Sequence, residues 1–105
     1  MTADWGTFYR AVCEQAGSLL TGIDQATGEA IQAAATTDVF WSDSLLATFE
    51  DFSVDDTRIG VEAALEVWRE NVLEVLGDLL DLDRQAVRID PEAVGRLTGL
   101  LESLG

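Results

Sequence analysis

The sequence predicts an all-α protein, a compact bundle of four or five helices. Three observations lead to this fold class. Apolar residues recur at steps of three and four along most of the chain, residues typical of helix N-termini precede those runs, and no segment alternates cleanly between apolar and polar residues as a half-buried strand does. The length of 105 residues fits one domain, 1–105.

The first segment predicts a helix that begins after Asp4, a suitable N-cap, and ends at Thr21-Gly22. One face of this helix carries the apolar residues Trp5, Phe8, Tyr9, Val12, Ala16, Leu19, Leu20 and Ile23.

A second helix can start at Asp24 and run through Ala35, although Thr27 and Gly28 are poor helix formers. Its inward positions would be Ala26, Ala30, Ile31 and Ala34. In the alternative arrangement, Gly22 lies inside one long, bent helix.

Two capping clusters follow. Ser42-Asp43-Ser44 predicts a short third helix over 42–52, and the segment 53–56 precedes a fourth, which is the longest. The apolar stripe of this fourth helix is Val61, Leu65, Trp68, Val72, Leu76 and Leu79.

The region 84–89 predicts a short irregular or extended segment, since residues 86–89 fit either a strand or a turn of helix. Asp90-Pro91-Glu92 then gives an N-cap, a proline at the first helical position and an acid in the first turn. The last helix carries Val94, Leu97, Leu101 and Leu104 at steps of three and four.

The net negative charge of the chain limits the kinds of partner that it can bind. The formal net charge is −14, from 20 acidic and 6 basic residues, and every basic residue is arginine. Such a charge repels nucleic acid and anionic membranes and is attracted to basic surfaces, so we expect no direct binding of either. An acidic proteome, as in salt-loving microbes, is the alternative explanation of the charge.

The N-terminal residues lack the basic start of a signal peptide, and no apolar run approaches the roughly 20 residues that span a bilayer. We therefore expect a cytoplasmic protein.

The fourth helix carries a row of carboxylates spaced four residues apart, which we call the acidic ridge: Glu62, Glu66, Glu70, Glu74 and Asp78. Like charges at this spacing destabilise a helix by a few tenths of a kcal/mol per pair. Arg58 and Arg69 can offset part of this cost through Glu62 and Glu66. Four helical residues rise about 6 Å, comparable to the phosphate spacing of a nucleic-acid strand. The ridge can therefore imitate nucleic acid, or it can be an ordinary solvated face.

A second set of acids, the acidic loop cluster, precedes the same helix: Glu50, Asp51, Asp55 and Asp56. It would extend the acidic surface of the ridge over the connecting turn, which favours binding. Part of this segment fits the EF-hand register from Asp51 to Glu62, but Asp56 occupies the position that needs glycine. We therefore expect no metal site.

The tripeptide Asp43-Ser44-Leu45 resembles the signature of acyl carrier proteins, which are also small, acidic and helical. The resemblance implies that Ser44 would carry a phosphopantetheine arm. It covers only these residues, no glycine precedes Asp43, and the following helix is short, so helix capping explains the same residues.

The sequence lacks a catalytic constellation. Histidine and lysine are absent, no nucleophile elbow or glycine-rich phosphate loop is present, and the single cysteine, Cys13, lies at the edge of an apolar stripe where a buried thiol is the usual finding. We therefore expect a non-enzymatic protein without a cofactor.

The tryptophans Trp5 and Trp68 lie on apolar stripes and are expected in the core. Phe40-Trp41 has no evident inward register and would be either core or an exposed interaction hot spot. Val67 and Leu73, which flank the ridge, would be interface anchors or contacts to another helix.

These features favour a small acidic inhibitor or decoy that occupies a basic, nucleic-acid-binding surface of a larger protein, plausibly a nuclease or nucleic-acid-binding complex. Anti-CRISPR proteins, DNA mimics and nuclease-neutralising immunity proteins share this size and charge class, by analogy only. The alternatives are a structural or adaptor bundle or homodimer that uses Phe40-Trp41 or Leu73, and then an acyl-carrier-like protein.

Overall fold

The computed structural model describes residues 5–35 and 57–104. These residues form a mostly helical fold with one very small sheet, which confirms the predicted all-α class. The elements, in chain order, are α1 (Trp5–Glu14), α2 (Ala16–Leu19), β1 (Leu20–Thr21), α3 (Gln25–Ala34), α4 (Thr57–Leu76), β2 (Arg88–Ile89) and α5 (Pro91–Leu104).

Several predictions concern residues outside the described part of the chain. They are the N-cap at Asp4, the helix over 42–52, the Phe40-Trp41 pair, Ser44 with its carrier-protein signature, the acidic loop cluster Glu50, Asp51, Asp55 and Asp56, and with it most of the EF-hand register.

The first predicted helix is divided in two and ends earlier than its apolar stripe. Helix α1 stops at Glu14 and α2 stops at Leu19, because Leu20 turns into extended backbone at φ −107° and ψ 139°. Gly22 follows at φ +84°, a left-handed conformation that glycine adopts without steric cost. The alternative of one long, bent helix through Gly22 is therefore wrong.

Helix α3 begins as predicted. The Asp24 carboxylate caps it by accepting a hydrogen bond from the Thr27 backbone N–H at 2.6 Å. Ile31 is fully buried, whereas Ala26 is exposed, which corrects its predicted inward position. The cause is a narrow buried face, because α2 is the main described neighbour of α3.

The strand alternative is confirmed for residues 88–89, and residues 84–86 form a turn, so the predicted irregular or extended segment is present. Strand β2 pairs antiparallel with β1, with Leu20 opposite Ile89 and Thr21 opposite Arg88. The Asp90 N–H donates to the Leu19 carbonyl at 2.9 Å and so extends the pairing by one bond. This contact ties the N-terminal helices to the start of α5.

Helices α4 and α5 pack closely against each other, and α1 packs against α5. The stripe on α4 is buried from Val61 to Leu76, with Trp68 fully enclosed. Leu79 was predicted on the same stripe but is 80% exposed, because α4 ends at Leu76. Leu104, in the last turn of α5, is also exposed, whereas the other three stripe residues of that helix are buried.

The first turn of α5 is held as the sequence predicts. The Asp90 carboxylate accepts a hydrogen bond from the Glu92 N–H at 3.0 Å, and Pro91 occupies the first helical position. Trp5 is buried with its ring edge-on to Phe8, at a centroid distance of 5.2 Å. The core positions predicted for Trp5 and Trp68 are therefore confirmed. Among the described helices, none is both long and apolar enough to cross a membrane.

Two glycines set the distance between α2 and α3. A Cβ on Gly17 would overlap the carbonyl oxygen of Gly28, whereas a Cβ on Gly28 would lie 3.4 Å from the Gly17 carbonyl oxygen. Gly28 is therefore placed in α3 by packing, despite its low helix propensity.

We predict different effects for alanine at these two glycines. Gly17→Ala forces backbone apart and should lower the free energy of unfolding by about 1–3 kcal/mol, as overpacking does. Gly28→Ala should be neutral or slightly stabilising, because alanine favours the helix and its Cβ would meet the Gly17 carbonyl oxygen at an ordinary contact distance of 3.4 Å. Gly95→Ala, where nothing lies within 4 Å of the new methyl group, should stabilise by about 0.5–1 kcal/mol. Urea denaturation followed by far-UV circular dichroism measures all three, and equal losses at Gly17 and Gly28 would contradict the close approach.

Candidate functional site

The acidic ridge winds around α4 instead of running parallel to its axis. At about 100° per residue, each four-residue step turns the row by about 40°. Glu62 therefore lies beside the buried face, Glu66 farther round, and only Glu70 and Glu74 lie well away from it. All four carboxylates are exposed.

The two apolar residues beside the ridge face inward. Leu73 is 3% exposed, and Val67 is partly buried against the core. Of the two roles predicted for them, contact with another part of the fold is confirmed for Leu73. Leu73 cannot supply the exposed patch that the adaptor alternative needs.

The ridge is partly neutralised by arginines. The Arg58–Glu62 pair has an N–O distance of 3.3 Å and the Arg69–Glu66 pair one of 3.2 Å, as the sequence spacing predicted. Asp78 belongs to the turn after α4, which corrects its predicted place on the helix. It lies 3.5 Å from an Arg84 nitrogen, a contact that spacing along the helix could not predict.

Glu70 and Glu74 are different. Within the described part of the chain, neither makes a salt bridge or a side-chain hydrogen bond. Helix α4 has no basic residue in its last turn, where cations would be favourable and acids are not. These two carboxylates thus contribute repulsion to the fold, and no described contact offsets it.

Arg69 fastens α4 to the segment before β2. Its Nε and Nη2 both donate to one Glu66 carboxylate oxygen at 3.2 Å, and its Nη1 donates to the Val87 carbonyl at 3.1 Å. The side chain is only 20% exposed. Sequence analysis placed Arg69 near the flank of the ridge but gave no sign of the contact with Val87, which depends on the tertiary fold.

The same contact forms one wall of an arginine groove, which we define by Glu66, Arg69, Arg84, Gln85, Val87, Arg88 and Ile89. The groove has a volume of about 580 Å³ and holds three of the six arginines of the chain. Glu66 is the single acid among these lining residues. Sequence reasoning missed this cluster, because Arg69 lies 15 or more residues from the other two.

A smaller cavity of about 260 Å³ adjoins the groove through Glu66 and Ile89. Its other lining residues are Arg58, Glu62, Pro91 and Val94. The first half of the ridge therefore borders a cleft between α4 and the start of α5, while Glu70 and Glu74 face away from it.

No known protein family matches this chain. Neither a curated protein nor a solved structure matches it either. The function must therefore be argued from the ridge and the groove themselves.

Cys13 is buried as predicted, at 3% exposure. Burial raises the pKa of its thiol to about 11, against a smaller lowering by a hydrogen bond from Tyr9. A thiol with this pKa is almost entirely protonated at neutral pH and is a poor nucleophile. Within residues 5–35 and 57–104, no three acidic or cysteine side chains converge as a metal site requires.

We predict that Arg69→Met lowers the free energy of unfolding by about 1.5–3 kcal/mol, because it removes hydrogen bonds that involve a charged group and leaves the Val87 carbonyl without its donor. Arg96→Met is the matched control. It breaks an exposed ion pair with Glu92 and should cost about 0–0.5 kcal/mol. Chemical denaturation of both variants makes the comparison, and equal costs would contradict the role of Arg69 as a fastener.

We also predict that the folded protein resists thiol reagents. Because the pKa of Cys13 in the folded protein lies above its ordinary value of 9.0, the neutral thiol stabilises the fold fully below about pH 9. That contribution is lost as the pH rises through about 11. A disulfide-exchange dye at pH 8 should label the native protein far more slowly than the urea-unfolded protein. Similar rates would show that the thiol is accessible.

Proposed function

We propose that this protein is a non-enzymatic inhibitor or decoy, whose acidic ridge occupies a basic, nucleic-acid-binding surface of a larger protein. The observation that carries the proposal is the state of Glu70 and Glu74. Both are exposed, neither has a counter-ion within the described residues, and Glu74 stands in the last turn of the helix, where negative charge is least favourable. A surface retained against its stability cost is typical of a binding site.

The ridge is itself a rigid surface, which favours its use in binding. Glu62, Glu66, Glu70 and Glu74 share one helix of 20 residues whose opposite side is packed into the core. Their spacing is therefore fixed at about 6 Å per step and does not need to be ordered on binding. Anti-CRISPR, DNA-mimic and immunity-type proteins are the classes that such a surface would suit.

Only two of the five ridge acids have no arginine partner among the described residues. Glu66 already holds Arg69, Glu62 holds Arg58 and Asp78 contacts Arg84. Glu70 and Glu74 can accept hydrogen bonds from a partner's basic residues without breaking an internal pair. We therefore place the strongest contacts of the partner on these two residues.

The test compares Glu70→Gln/Glu74→Gln with a charge-matched control, Glu29→Gln/Glu102→Gln, on other helices. Each protein is immobilised and incubated with host lysate at low salt, and bound proteins are released by a short DNA duplex at constant ionic strength. We expect the wild type and the control to retain a nucleic-acid-binding protein that the duplex displaces, and the ridge variant to lose it. Retention by the ridge variant would contradict the proposed contact.

A second measurement separates function from stability. Glu70 and Glu74 repel the neighbouring carboxylates of the ridge, and Glu74 also opposes the helix dipole. The free energy of unfolding of the ridge variant, measured in urea, should therefore equal that of the wild type or exceed it by about 0.5 kcal/mol or less. Lost binding together with unchanged or greater stability assigns the two acids to the partner. Lost binding in a destabilised variant would instead indicate a structural role and would count against the proposal.

The adaptor alternative has one observation in its favour. Val75, in the last turn of α4, is 46% exposed, and Leu79, in the turn that follows the helix, is 80% exposed. An apolar contact through these residues would persist at high salt, whereas a ridge contact would weaken steeply. A partner that resists 1 M salt and the DNA duplex would therefore favour the adaptor.

A further inference from the structure

The arginine groove, which the proposed function does not use, concentrates positive charge in a strongly acidic chain. Among its described lining residues three are arginines and one is an acid, although acids outnumber basic residues 20 to 6 over the whole chain. Glu66, that acid, is held by Arg69. The net charge of these described lining residues is therefore positive.

The hydrogen bonds show which N–H groups of the three arginines remain available to a ligand. Arg69 uses three of its N–H groups, two on Glu66 and one on the Val87 carbonyl, and each of its terminal nitrogens keeps a further N–H. Arg84 makes one long contact of 3.5 Å to Asp78, whose side chain is 94% exposed. Within the described residues, the Arg88 guanidinium makes no hydrogen bond or ion pair.

The backbone fixes the places of these three arginines. Arg69 stands on α4, and Arg88 stands on β2, where it pairs with Thr21. The Thr21 hydroxyl also donates to the Arg88 carbonyl at 3.3 Å. Arg84 lies in the turn between them, where the Asp83 carboxylate accepts a hydrogen bond from the Gln85 N–H at 3.1 Å. The groove is thus lined from two elements and a turn that contact each other, and it does not need to assemble around a ligand.

We propose that this groove binds the phosphate group of a small organic phosphate. Arginine presents planar pairs of donors that fit phosphate oxygens. A phosphate monoester carries a charge of about −1.5 to −2 near neutral pH. Arg88 can oppose this charge together with Arg84, whose 3.5 Å contact with the exposed Asp78 a phosphate can replace. The volume of about 580 Å³ lies within the range of small-molecule sites and exceeds the needs of phosphate alone. Val87 and Ile89 supply an apolar surface for the organic part.

The acidic remainder of the protein lowers the affinity of this site without abolishing it. Charges beyond about 8 Å are largely screened at physiological ionic strength, so the nearest groups dominate. Those groups are Arg69, Arg84 and Arg88, with Glu66 and Asp78 already in contact with two of them.

The experiment is a titration of the full chain, labelled with nitrogen-15, followed by the Nε–H signals of its arginines. The probes are phenyl phosphate, inorganic phosphate and citrate, at constant chloride. We expect phenyl phosphate to bind saturably, to shift the signals of Arg84 and Arg88, and to bind more tightly than inorganic phosphate.

Variants locate the site. Arg84→Gln and Arg88→Gln should each weaken phenyl phosphate at least tenfold, while Arg96→Gln, an equal change of charge on α5, should leave its affinity within twofold. The Arg84 side chain is half exposed, and the Arg88 guanidinium makes no hydrogen bond or ion pair within the described residues, so circular dichroism should show an unchanged fold. The proposal is overturned if binding does not saturate, if citrate binds as tightly as phenyl phosphate, or if Arg96→Gln weakens binding equally. Because Glu70 and Glu74 play no part here, the proposal stands or fails independently of the ridge.

Discussion

The Arg69 guanidinium joins α4 to the segment before β2, and both candidate surfaces depend on that junction. On one side it holds Glu66, the second carboxylate of the ridge, and on the other it holds the carbonyl of Val87. With one side chain, the fold satisfies a backbone carbonyl and neutralises a ridge charge, and it fixes one wall of the groove. A lysine could not replace it fully, because a single ammonium lacks the planar set of donors that reaches both partners at once.

The acids of α4 are paired with arginines in one half of the helix and unpaired in the other. At its N-terminal half each ridge acid pairs with an arginine, beside the cleft that Ile89, Pro91 and Val94 line. At its C-terminal half, Glu70 and Glu74 have no such partner among the described residues, and the helix dipole opposes Glu74 in the last turn. An acidic proteome would place acids on every exposed surface. An acidic proteome does not explain why three arginines, one from α4 and two from the segment after it, line the same groove.

Much of the fold was accessible from the sequence because local rules act over a few residues. The steps of three and four located the buried faces of α1, α4 and α5, and the caps at Asp24 and Asp90 marked two helix starts with their actual hydrogen bonds. Periodicity failed where backbone conformation ends a helix before its apolar pattern ends. Leu20 fits the stripe of α1 yet pairs with Ile89 as a strand, and Leu79 fits the stripe of α4 yet lies in the turn beyond it. The ridge was visible as a spacing, but the groove was not, since its arginines meet only where the segment before β2 packs against α4.

The winding of the ridge explains how one helix can carry two surfaces of opposite charge. A row at every fourth residue turns by about 40° per step, so it cannot remain on one side of a straight helix. It begins beside the packed face, where its carboxylates meet Arg58 and Arg69 of the same helix, and it ends on the open side, where they meet solvent. A row spaced alternately at three and four residues would have stayed on one side, as the buried stripe does. The uninterrupted spacing of four thus separates the ridge into a paired half that serves the fold and an unpaired half that is free to serve a partner.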